Sequence, residues 1–184
     1  MLRTVLFIPL SLANAAMAQE SAQDIGVRRA AFAAELFMES CFAHLGDGKA
    51  LTRWVRSRGY GQTDPAFSKA VLQGDPGVVW SASNDIGDFV ILQKLDGNCE
   101  VWARRAHGQA AAEGFEKAIR DARRPGRRIE RDPDRAIEAG GVAYRQIAYF
   151  MQQEGAAGGW LLVAIVSDSD RADVQVRLSA DRTR

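Results

Sequence analysis

The chain predicts an α+β domain: an antiparallel sheet of about five to six strands, with N-terminal helices and one mid-chain helix packed on one face. Three observations point to it. Apolar residues recur at helical spacing in the first third of the chain and again over 109–123. Short apolar or alternating runs, punctuated by Gly, Asn and Asp, fill most of the remainder. The order is helices, three strands, a helix, then three strands, so a three-strand unit occurs twice on either side of the 109–123 helix.

Each element has its own warrant. Over residues 27–45, Ala30, Ala34, Phe37, Cys41 and Leu45 fall on one stripe of a 3.6-residue repeat, and Gly46-Asp47-Gly48 stops the helix. A shorter helix over 49–57 turns Leu51, Trp54 and Val55 inward, and Asp64-Pro65 opens a third helical stretch through Phe67, Ala70 and Val71. Strands follow at 78–82, 88–95 and 99–106, the last two joined by the hairpin signal Asp96-Gly97-Asn98. In the third, Cys99, Val101 and Ala103 share one face, and Glu100, Trp102 and Arg104 the other. Ala111, Phe115, Ala118, Ile119 and Ala122 make the stripe of the mid-chain helix. Residues 124–141, rich in Arg, Asp, Gly and Pro, read as a loop. Three further strands are expected at 143–151, 160–166 and 173–179.

The N-terminus carries an address. A basic start with Arg3, an apolar run over 5–12 and Ala16-Met17-Ala18 form the pattern of a secretory signal peptide, cut between Ala18 and Gln19. The apolar run is too short to span a bilayer. No cysteine follows the cut, so no lipid anchor is expected and the mature chain should be periplasmic or secreted. The division is then a leader over 1–18, a flexible lead-in over 19–26, one domain over 27–180 and a tail over 181–184. A net charge of +1 on the full chain gives no general attraction to nucleic acid or anionic lipid. No cofactor is implied, and nothing fixes the oligomeric state.

Only two cysteines occur, Cys41 and Cys99, and each sits on the inward face of its element. In an oxidising compartment such a pair closes a disulfide, and closing so long a loop contributes about 4 kcal/mol in the chain-entropy picture. They lack the Cys-x-x-Cys spacing of a redox site. Cys41 and His44 have helical spacing but no partner cluster, so no metal site is read. There is no Gly-x-Ser-x-Gly, and acidic pairs such as Asp168 with Asp170 read as solvated turns.

Two features suggest contact surfaces. Arg123-Arg124 and Arg127-Arg128 flank Pro125-Gly126, so a turn presents four guanidinium groups to phosphates or an acidic partner. Set against this, cations near a helix C-terminus complement its dipole without any ligand. Trp102 shares its strand face with Glu100 and Arg104 and should be partly exposed. The helix ending Phe37-Met38-Glu39-Ser40-Cys41, the Gly87-Asp88-Phe89-Val90 strand and Cys99-Glu100-Val101-Trp102 resemble a group of uncharacterised exported proteins and lipoproteins of proteobacteria. That resemblance implies an exported α+β domain with one disulfide and brings no catalytic residue. The chain therefore reads as a non-enzymatic binding domain whose partner is an envelope protein or another acidic partner. The alternative is a small envelope hydrolase whose site is assembled from distant residues, with His44 or His107 as base.

Overall fold

The computed structural model describes residues 11–183, with side chains from residue 22 onward. Residues 1–10 of the expected leader therefore lie outside the described residues. Helix α1 spans Ser11–Phe37 and takes in the segment expected as a lead-in, so Ala18 and Gln19 both fall within it. It continues into one wide π turn, Met38–Phe42. That turn holds both Ser40 and Cys41 on the buried side: the Ser40 hydroxyl donates to the Leu36 carbonyl and Cys41 faces the sheet. Helix α2 (Gly48–Ser57) is capped by Asp47, whose carboxylate accepts from the Ala50 N–H at 2.8 Å. Strand β1 (Gly61–Gln62) is only two residues long, and α3 (Pro65–Leu72) starts on an Asp64 cap.

Three strands follow, β2 (Gly77–Asn84), β3 (Gly87–Lys94) and β4 (Cys99–Ala103), then α4 (Gly108–Asp121). The stretch expected to be a loop instead forms β5 (Arg127–Arg131) and β6 (Arg135–Ala139), which pair with successive parts of β7 (Val142–Gln153). β8 (Gly159–Val166) and β9 (Val176–Thr183) complete the sheet, so residues 181–183 of the expected tail belong to a strand. The architecture is α+β with an antiparallel sheet, but with nine strands rather than five or six. The count differs because β1, β5 and β6 lie at the two margins, where strands are short or charged.

Strand order is β1-β2-β3-β4-β9-β8-β7-β5, with β6 also on β7. Two units of one helix and a three-strand meander, α1 with β2–β4 and α4 with β7–β9, meet through their last strands. β4 and β9 pair antiparallel at the centre, Val101 opposite Leu178. On one face α1, α2 and α4 cover the main core, where Phe37, Phe89, Phe115, Ile147 and Leu162 are wholly buried. The rings of Phe37 and Phe115 lie 5.7 Å apart, tying α1 to α4.

Helix α3 departs from the expected single helix layer. Its Leu72 packs with Val79 and Leu92 on the opposite face, and Val71, Val90 and Trp102 join them. The strand alternation explains the switch: Val78, Trp80, Phe89 and Ile91 point to the main core, while Val79, Val90 and Leu92 need a second cover. The disulfide joins Cys41 of the π turn to Cys99 of β4, with Cα atoms 5.4 Å apart and both residues buried.

Candidate functional site

α3 covers only the margin of the second sheet face; among the described residues no helix packs over β4, β9 and β8 there. Down the middle of that face runs a side-chain network set by the β4–β9 register, which places Trp102 opposite Arg177 and Glu100 opposite Ser179. Glu100 is 8% exposed. Its carboxylate accepts from the Trp102 indole N–H at 2.8 Å and from Arg177 at 3.0 Å. Arg177 lies over the Trp102 ring, Cζ to centroid 4.7 Å, and Lys94 stands 3.9 Å from the other Glu100 oxygen. The indole is fixed on one side by a cation and at its N–H by a carboxylate.

Beside this network lies a groove of about 800 Å³ that Trp102, Val90 and Phe67 line as apolar groups. Phe67, from the first turn of α3, is 45% exposed. At the other end stand Arg29, Arg104 and Arg105 with Asp88 and Asp173. Arg29 reaches from α1 to the Ile86 and Arg105 carbonyls, pinning the β2–β3 turn to the end of β4. Arg104 donates to the Asp173 carbonyl at 3.0 Å. Arg105 has φ +53°, a left-handed conformation that costs a residue with a Cβ about 1 kcal/mol. Its backbone N–H is held by the Gln175 side chain.

Trp102 is thus part exposed, as its strand face suggested, and sits in the largest groove described. The arginine turn is elsewhere, on the helix-covered side. Arg127 and Arg128 lie in β5 and not in an open loop. Arg127 stacks on the Phe42 ring at 5.3 Å and donates to the Ala122 carbonyl at the end of α4. Arg128 pairs with Glu130. Arg123 and Arg124 are exposed, and among the described residues neither has a carboxylate within ion-pair distance. The four guanidinium groups therefore divide into two with structural partners and two without, and Trp102 does not join them.

Neither histidine is arranged as a base for a serine. Nδ1 of His107 accepts from the Ala110 N–H at 3.2 Å, while Asp168 Oδ1 accepts from Gly108 and Gln109 N–H groups at 2.6 and 3.4 Å. The two side chains share the capping of α4 and approach each other to 3.5 Å. His44 has its ring 6.1 Å from Trp54, and its buried Nε2 has no hydrogen-bond partner. Among the described residues no group of three His, Cys, Asp or Glu side chains is placed to hold a metal ion.

Sequence reasoning placed Phe67 in a helix and Val90 in a strand without reading either as a contact residue, and it passed over Arg29 and Arg105. For Phe67 a signal existed: it lies one helical turn before Val71, at the start of a helix too short to bury both ends. Arg29 and Arg105 come together only through the fold. Comparison of the chain with protein-family models, with curated proteins and with solved structures returns no match.

Proposed function

We propose that this chain is an exported, non-enzymatic binding domain whose contact surface is the Trp102 groove on the open sheet face. The observation that carries the reading is that groove itself. Aromatic and aliphatic side chains are left uncovered in a concavity, beside Arg29, Arg104 and Arg105, none of which has a carboxylate within ion-pair distance among the described residues. Exposed aromatic and arginine groups around a concavity are the usual anchors of protein recognition. Export rests on the leader pattern and fits the Cys41–Cys99 bridge; no described helix is long and apolar enough to cross a membrane. The likeness to small exported proteobacterial proteins belongs to the same reading.

A photo-crosslinking residue in place of Phe67, introduced in the native envelope, should yield one dominant adduct with an envelope protein. That protein, purified, should bind the wild-type domain at least tenfold more tightly than a Phe67→Ser variant with an unchanged melting temperature. Diffuse labelling, or equal binding by the variant, rules the groove out as the interface. Intact-mass measurement of the exported protein should give a chain starting at Gln19 with no thiol open to alkylation.

A further inference from the structure

At the far end of α4 a second concavity joins apolar floor to unpaired charge. The chain leaves α4 at Ala122, turns through Gly126 at φ +78° and enters β5. Between this turn and the π turn after α1 lies a cleft of about 520 Å³, floored by Met38, Phe42, Ala118 and Ala122 and edged by Arg124, Arg127 and Asp121, the last held by Lys117. At the helix end the Ala122 and Arg123 N–H groups donate to the Ala118 and Arg120 carbonyls, and Arg127 donates to the Ala122 carbonyl while its guanidinium stacks on Phe42. Arg120, Arg123 and Arg124 are exposed, and among the described residues none has an acidic partner.

The carboxylates around them are already taken. Asp121 is held by Lys117 at 2.6 Å, Glu130 by Arg128 and Glu116 by Arg131. Glu154, whose carboxylate comes within 3.9 Å of the Cβ position at Gly126, is the one acid across the turn outside these pairs. A helix C-terminus carries roughly half a negative charge. Arg120 in the last turn and Arg127 beside it answer that charge, and Arg123 and Arg124 stand past the helix end without an ion pair among the described residues.

We infer that this cleft docks an acidic segment of a partner protein. An apolar side chain of that segment seats on Met38 and Phe42, and its carboxylates meet the forked donors of Arg124 at the cleft's edge and of its exposed chain neighbour Arg123. Charge complementarity selects the occupant: a neutral apolar segment leaves the arginines unused, and a purely acidic one leaves the floor wet. The site lies on the helix-covered side of the sheet and is independent of the Trp102 groove.

Fluorescence anisotropy with a labelled, end-blocked octapeptide tests this, using six aspartates around a central Leu-Phe pair. Its controls are the same peptide with asparagines for aspartates, and octa-aspartate. The acidic apolar peptide should bind at least tenfold more tightly than either control. An Arg123→Gln/Arg124→Gln variant with an unchanged melting curve should lose at least tenfold, and Phe67→Ser should lose nothing. Equal binding of the asparagine peptide, full binding by the double variant, or capture by phosphatidylglycerol vesicles with no peptide binding would each overturn the inference.

Discussion

Asp181 lies on the open face of β9, where burial pushes its carboxyl above the usual carboxylate range. The nearby Glu100 charge pushes the same way, and the hydrogen bond from Ser179 at 2.7 Å opposes both. With the folded value above the unfolded one, the native state binds this proton more readily. No penalty exists below the unfolded value, and it grows as pH rises from there through the folded value. Asp181→Asn, whose amide oxygen still accepts from Ser179, should therefore raise the urea midpoint at pH 7 and leave it unchanged at pH 3. A drop at pH 7 would show that the charge is needed. At the start of α4, Asp168→Ala should cost about 1 kcal/mol, since it frees backbone donors that no other side chain reaches. Arg105→Gly should be close to neutral in stability, because relief of about 1 kcal/mol of left-handed strain offsets the extra freedom of glycine in the unfolded chain. A clear loss in a denaturant melt would mean that the Arg105 side chain, and not only its backbone, holds the end of β4.

Among the elements, the Cys41–Cys99 bridge ties the π turn to β4. Loss of the bridge in a Cys41→Ala/Cys99→Ala variant should cost about 2–5 kcal/mol, read as a lower denaturation midpoint in the oxidised protein. An unchanged midpoint would show that core packing alone suffices. Both partners were legible in the sequence, since each lies on a stripe of buried neighbours. The charged margin was not. Arg127–Arg131 offers a single large apolar residue, Ile129, and Arg135–Ala139 offers only Ile137, between Ala136 and Glu138, so the period-2 signal is too thin to read. Those strands pair with β7, and ion pairs dress them: Arg131 bridges Glu116 of α4 and its near neighbour Asp134, and Arg145 of β7 reaches Asp134 at 2.7 Å. The composition that hid them suits a sheet edge, where charge discourages pairing with another chain. Each ion pair is exposed and worth less than about 1 kcal/mol, so Glu116→Gln should leave the global melt almost unchanged while speeding hydrogen exchange in β5.

For the whole molecule, periodicity identified the two helix-and-meander units but not how they join. Turn residues mark neighbours in sequence, whereas the β4–β9 pairing is a long-range contact with no local signature. Trp102 was legible as exposed because its strand face mixes it with charge; the groove beside it depends on α3 crossing to the second face, which a short stripe does not reveal. The central place of β9 has a consequence for how the molecule comes into being. A chain that emerges N-terminus first, from a ribosome or a translocase, presents β4 with one side unpaired through the synthesis of everything from α4 to β8. Until β9 arrives, the first half is an open template that invites the wrong strand. A chain ended after residue 175 should accumulate as aggregate or proteolytic fragments, even though it retains every helix and the disulfide. The last strand is thus a keystone: until it is in place, the rest of the chain is a structure with its central seam open.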